Sequence, residues 1–260
     1  MKARIFQVDA FTDHAFAGNP AAVCPLDAWP ADELLQAVAA ENNLSETAFF
    51  VPAGEIFQLR WFTPVAEVPL CGHATLATAH VLYEHLACSQ AALNFQTLSG
   101  RLTVTRSATG LCMDFPARKP QAVEAPKTLI AGLGKLPREV LADENYLAVY
   151  DSEEAVRGLA PDFAVLRSLD RFGVIVTAPG RDVDFISRCF FPRVGINEDP
   201  VTGSAHCELV PYWSTCLKRD QLAARQISKR GGAIACEIRG DRVLLSGKAV
   251  TFLIGEINVS

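Results

Sequence analysis

Five side chains in this sequence pair a reactive chemistry with an informative position: Glu46, Cys71, His73, Asp199 and Ser204. Four of them sit around two glycines. Cys71 and His73 flank Gly72, and Asp199 and Ser204 lie close to Gly203. Each glycine opens an apolar stretch of helical character, ending near Leu86 in one case and Leu217 in the other. A helix that begins at glycine presents unpaired backbone N–H groups and the positive end of its dipole. Two such starts are therefore candidate cradles for a small anionic ligand. Glu46 stands apart, in Asn43-Leu44-Ser45-Glu46-Thr47, between a helical pattern and an apolar strand. A carboxyl group there is either a solvated strand start or a general acid/base.

The surroundings of the two glycines repeat. Arg60-Trp61-Phe62-Thr63-Pro64 precedes Gly72-His73-Ala74 by eight residues, and Arg188-Cys189-Phe190-Phe191-Pro192 precedes Gly203-Ser204-Ala205 by eleven. The glycines are 131 positions apart, half the 260-residue chain. This spacing predicts two half-domains that each carry one helix start.

The elements around these residues follow from periodicity. Strands are expected at 4–8, 21–24, 47–51, 55–62, 93–98, 102–106, 110–115, 145–150, 172–177, 234–239, 242–246 and 249–254, and helices at 31–41 and 153–157. Both glycine-led helices are apolar around most of their circumference and so are buried on most sides. Pro211, inside the second, should bend it or leave a carbonyl unpaired. The Pro-, Ala- and Lys-containing stretch 117–127 is the expected linker. The division is thus an N-terminal half of 1–118, with a strand at 251–260 as the candidate to return to it, and a C-terminal half of 119–250. Residues 119–165 are the least informative stretch. Together these features predict an α+β fold of two pseudo-symmetric halves, each a curved, mostly antiparallel sheet wrapped around a central helix.

Composition narrows the function. The net charge is −5, with no basic stripe, which argues against nucleic-acid or anionic-membrane partners. No signal peptide and no membrane span are expected. The eight cysteines contain no Cys-x-x-Cys pair and read as free thiols of a reducing cytoplasm.

Four motifs then carry a resemblance. Val8-Asp9-Ala10-Phe11 with Gly18-Asn19-Pro20-Ala21-Ala22-Val23, Asn43-Leu44-Ser45-Glu46-Thr47-Ala48-Phe49, Cys71-Gly72-His73-Ala74-Thr75, and Glu198-Asp199-Pro200-Val201-Thr202-Gly203-Ser204-Ala205 together resemble the phenazine-biosynthesis isomerase-like (PhzF-like) family. The resemblance implies the diaminopimelate epimerase-like fold, with the site in the cleft between two similar halves. It implies a cofactor-independent isomerase that moves a proton on a small carboxylate-bearing, amino- or hydroxy-acid substrate. Glu46 matches the catalytic acid/base, and His73 and Asp199 match side chains that face the substrate. Gly72, Gly203 and Ser204 match positions that hold its carboxylate. A homodimer without metal or organic cofactor is also implied. In such a cleft the Glu46 carboxyl, near Asp199, should have a pKa raised toward ~6–7. His73, at a helix N-terminus, should be neutral.

Other readings fit less well. A two-thiol racemase would need a partner for Cys71 just before Gly203, where Thr202 stands. His73, His80, His85, Cys71 and Cys88 lack zinc-type spacing. Gly132-Leu133-Gly134-Lys135 is too short for a phosphate loop, and no Gly-x-Gly-x-x-Gly occurs. Trp61 and Trp213 read as core. A binding protein that kept the cleft without turnover is the alternative from another class, against which the intact set of Glu46, His73, Asp199 and Ser204 argues.

Overall fold

The computed structural model describes residues 2–258. The chain divides into two compact units: the stretch up to Asp114 together with everything from Ser246 onward, and Phe115–Leu245. The crossover comes before the expected linker. Phe115 is already buried, and within 117–127 the pair Gln121–Ala122 is held as a strand against Leu141 and Ala142.

The first unit runs β1 (Lys2–Ala10), β2 (Asn19–Pro25), α1 (Asp32–Asn42), β3 (Glu46–Ala53), β4 (Ile56–Phe62), β5 (Glu67–Val68), α2 (Gly72–Glu84), β6 (Ala92–Thr97), β7 (Gly100–Ser107) and β8 (Gly110–Pro116). The second runs β9 (Gln121–Ala122), α3 (Lys127–Leu133), β10 (Glu139–Ala142), β11 (Tyr146–Val149), α4 (Glu153–Arg157), α5 (Phe163–Leu166), β12 (Val174–Pro179), β13 (Phe185–Phe191), β14 (Ile196–Asp199), α6 (Gly203–Leu217), β15 (Gln221–Gln226), β16 (Gly232–Arg239) and β17 (Arg242–Gly247). The last strand, β18 (Ala249–Asn258), belongs to the first unit, where it pairs antiparallel with β1 from Lys2↔Asn258 to Ala10↔Ala249.

The same pairing scheme occurs in both units. β1 is antiparallel to β2, β2 parallel to β3, β3 antiparallel to β4, β4 antiparallel to β5 and parallel to β6, and β6 antiparallel to β7. In the second unit β10, β11, β12, β13, β14, β15 and β16 repeat each of these relations in order. A parallel step between neighbouring strands requires a crossover. Here the crossovers are α1 and α2 in one unit, α4–α5 and α6 in the other.

In each unit small helices cover one face of the sheet and the long apolar helix fills the other. Leu35, Val38 and Ala39 of α1 pack with Cys24, Phe49 and Phe62, and Leu129, Val156 and Leu166 pack with Val174, Val176 and Phe190. Helix α2 contacts β1, β2, β3 and β18, with Ala74, Leu76, Ala77, Ala79 and Val81 fully buried. Burying a side chain such as Leu76 contributes about 1.5–3 kcal/mol. Helix α6 lies against β15 and β16. Its Pro211 does free a carbonyl, that of Cys207 one turn earlier, and the backbone N–H of Arg118 donates to it at 2.9 Å. Trp61 and Trp213 are core side chains, the latter donating from Nε1 to Thr177 Oγ1 at 3.0 Å.

Candidate active site

Each long helix is delivered by a hairpin whose arginine is clamped. Arg60 on β4 donates from Nε and Nη2 to the two carboxylate oxygens of Glu67 on β5, at 2.7 and 2.8 Å. Arg188 on β13 does the same to Glu198 on β14, at 2.8 and 3.0 Å. Such two-pronged pairs fix orientation as well as supply energy. They hold the last residues before each helix, and so the direction from which the glycine arrives. The residues before the glycines, Cys71 and Thr202, are both extended, with φ/ψ of −145°/108° and −115°/99°, and neither caps its helix with its side chain. Their carbonyls are held instead by the residue four positions on: Thr75 Oγ1 donates to Cys71 O at 2.6 Å, and His206 Nδ1 lies 2.8 Å from Thr202 O.

In the first unit this start carries a three-member chain. Glu46, the first residue of β3, places Oε2 3.0 Å from His73 Nε2, and His73 Nδ1 lies 3.5 Å from Cys71 Sγ. The Glu46 and His73 side chains are 13% and 7% exposed. Their 3.0 Å approach is an ion-pair distance outside hydrogen-bond alignment, so among the described residues neither atom has a well-directed hydrogen bond. Burial pulls the His73 pKa down, but the contacts with Cys71 and with the Glu46 carboxylate outweigh it and lift the imidazole well above its ordinary value. The shift runs against the expected neutral histidine and toward the cation. The helix dipole disfavours that cation, and a carboxylate at 3.0 Å is the stronger effect. Burial, with Glu46 adding to it, pushes the Cys71 thiol up to about 11. It is protonated at neutral pH and poorly suited to act as a base.

The ligand atoms of Glu46, Cys71 and His73 all lie within 4.8 Å of one another, a grouping that could face a metal ion. To bind one, the thiol would have to give up its proton and the imidazole stay neutral, against the direction in which their surroundings push both. The arrangement is better suited to sharing protons.

In the second unit Asp199 ends β14 and is buried. Thr202 Oγ1 makes a very short hydrogen bond to its Oδ2. Gln226, fully buried at the end of β15, donates from Nε2 to Asp199 O at 2.8 Å and to Thr202 Oγ1 at 3.1 Å, and accepts from Thr202 N at 2.8 Å. Gly203 is the first residue of α6, and Ser204 is exposed on its first turn.

The phenazine biosynthesis-like protein family model matches residues 8–255. An uncharacterized isomerase of Pseudomonas aeruginosa is 53% identical over 259 residues, covering all of both chains. The human phenazine biosynthesis-like domain-containing protein is 39% identical over 286 residues, 99% of each. This chain belongs to the PhzF-like family.

Among solved structures, a PhzF family protein of Enterococcus faecalis matches with a TM-score of 0.98 at 45% identity, over the full length of both chains. A hydroxyproline epimerase of Agrobacterium vitis matches at 0.64 with 10% identity, over 98% of this chain and 92% of that one. The second likeness concerns the fold alone, and the PhzF-like chain has the duplicated, diaminopimelate epimerase-like α+β architecture. Among the described residues, no helix is long and apolar enough to cross a membrane.

The PhzF-like fold brings Glu46, Gly72 and His73 together in the first unit, and Asp199, Gly203 and Ser204 in the second. It also joins Cys71 to His73 and adds two residues to which spacing gives no role: Thr202, which holds Asp199, and Gln226, which holds both. In the sequence Thr202 is marked only by standing where a second racemase thiol would be. Gln226 lies in Gln221-Leu222-Ala223-Ala224-Arg225-Gln226, a segment with nothing to mark it until β15 pairs with β13 and β16.

Proposed function

We propose that this chain is a cofactor-independent isomerase that moves a proton on a small carboxylate-bearing amino or hydroxy acid, with Glu46 as the general acid/base. The observation that carries this reading is the buried Glu46–His73 pair beside the start of α2. A carboxylate and an imidazolium in contact hold one mobile proton between them. Glu46 can accept a proton from a substrate carbon and deliver one to another position, while His73 balances its charge. Atoms and electrons balance, because one proton is taken up and one is given back. Gly72 and Gly203 would offer backbone N–H groups, and Ser204 its hydroxyl, to the substrate carboxylate. Asp199 would face the substrate as a polar or acid/base partner. The family membership supports an isomerase, and the names of relatives such as the Pseudomonas aeruginosa protein agree with it. A homodimer acting in the cytoplasm is part of the same proposal.

The test is proton NMR in heavy water on a panel of small cyclic and aliphatic amino and hydroxy acids. Loss of a C–H signal, or appearance of an isomer, with the wild type and not with Glu46→Gln is the expected result. Tight binding without any exchange across the panel would instead identify a binding protein.

A further inference from the structure

We propose that Thr202 and Gln226 are positioning residues for Asp199: the buried Gln226 amide sets the direction of the Thr202 hydroxyl proton, and that proton holds Asp199 as an oriented carboxylate. The inference rests on the reading that Asp199 faces the substrate.

The hydrogen-bond inventory fixes the polarity. An amide nitrogen can only donate, so at the 3.1 Å contact Thr202 Oγ1 must accept from Gln226 Nε2. The same nitrogen donates to Asp199 O, and Gln226 Oε1 accepts from Thr202 N and from the Cys189 thiol at 3.6 Å. With these contacts the amide cannot be flipped without setting carbonyl against carbonyl. The hydroxyl proton of Thr202 is then committed to Asp199 Oδ2, to which it is very closely bonded. A donor aimed at the charged form of a carboxyl group favours that form.

The position of Thr202 makes this arrangement unusual. It is the residue before a 15-residue helix, where a threonine ordinarily turns its hydroxyl onto the helix N–H groups. Here it makes no such cap. The hydroxyl serves Asp199, and the N–H groups of the first turn are left without a side-chain cap. Gln226 and Cys189 are fully buried and Thr202 is 8% exposed, so water competes little for these bonds.

Carbon-13 NMR titration of side-chain carboxyls in the full chain reads this directly, with the Asp199 resonance assigned by its loss in Asp199→Asn. Thr202→Val keeps the shape and removes the hydroxyl. It should raise the Asp199 midpoint by about 1–2 pH units, the worth of one hydrogen bond to a charged group. Thr202→Ser should restore the wild-type midpoint. Gln226→Glu replaces the donor with an acceptor and should draw the threonine proton away, raising the midpoint in the same direction. If that buried carboxylate prevents folding, the two threonine variants still decide. An unchanged midpoint in a Thr202→Val protein with native circular dichroism would overturn the proposal, as would a serine variant that shifts as far as the valine one. The titration needs no substrate. It therefore stands or falls separately from the Glu46 reading, which fails instead by the absence of carbon–hydrogen exchange.

Discussion

At the start of α2 the residues on either side of the glycine are Cys71 and His73; at the start of α6 they are Thr202 and Ser204. The backbone is the same in both places, down to the extended residue before the glycine and the carbonyl held from four positions on. The side chains are not. The first start buries a histidine against Glu46. The second exposes a hydroxyl, and its acid, Asp199, accepts from Thr202, which Gln226 holds in turn. On the proposed reading, a duplicated scaffold presents the same glycine-led backbone twice while separating two tasks. One start would move a proton, the other hold and orient.

The largest effect should come from breaking the first. Glu46→Gln keeps the shape and removes the exchangeable acid, so turnover should fall ~10²–10⁴-fold while binding survives. The same change removes the charge that raises His73. In the wild type the stabilisation from this pair is complete below the ordinary histidine pKa and is lost as pH rises through the elevated one. In the variant only the Cys71 contact opposes burial, and the His73 imidazole, followed by NMR, should titrate lower. A wild-type rate in Glu46→Gln would send the search for the proton carrier to Asp199, His73 and Cys71.

A second contrast lies inside the helices. Five positions past Gly72 stands the fully buried Ala77; five past Gly203 stands the fully buried Glu208. Asn145 Nδ2 donates to Glu208 Oε1 at 2.6 Å, while among the described residues Glu208 Oε2 and Asn145 Oδ1 have no hydrogen-bond partner. Burial first, with nearby Asp143 adding to it against the Asn145 bond, pushes this carboxyl up to about 7. Its pKa is raised in the folded chain, so its favourable contribution is present below the unfolded value near 4.5 and lost as pH rises through about 7. Glu208→Gln supplies an N–H for the orphaned Asn145 oxygen and removes the titration. Urea denaturation should find it equal to the wild type near pH 4 and more stable at pH 8, by on the order of 2–3 kcal/mol. Equal stability at both pH values would mean the carboxyl is not held in this way.

Ser204→Ala tests the second start for holding. It should leave the exchange rate at saturation near the wild-type value and weaken substrate affinity by about 1.5–3 kcal/mol, the cost of a hydrogen bond to a charged group. A loss confined to turnover would mean that the two starts do not divide the work as argued.

Much of this contrast was legible in the residues. The repeat, the two apolar helices and the five reactive side chains all stood out, because glycine before an apolar run and aromatic strands are local signals. Other parts were not local. Strand β15 is Ala- and Gln-rich, with little strand preference of its own, and is held extended by its neighbours β13 and β16. Helix α3 begins at the end of the expected linker, and the short β9 lies within it. His73 meets a carboxylate 27 positions earlier in sequence, which no spacing rule connects to it.

The smallest effect should come from Cys71→Ser. Cys71 occupies the position where a two-thiol racemase would carry one base, and Thr202 the position of the other. Its thiol is held protonated up to about pH 11 by burial and by Glu46, so at neutral pH it offers little thiolate to abstract a proton. What it does offer is a contact to His73 Nδ1 at 3.5 Å. With His73 as imidazolium, both ring nitrogens carry protons, and the sulfur is the acceptor that keeps Nδ1 occupied while Nε2 faces Glu46. A serine oxygen accepts more strongly than sulfur in the same place, so the histidine should keep its orientation and most activity should remain. Cys71→Ala removes the acceptor and should lower turnover more than serine does, without abolishing it. If instead both variants lost about four orders of magnitude of turnover and still folded, the thiol itself would be moving the proton. The two helix starts would then differ less in purpose than their side chains indicate.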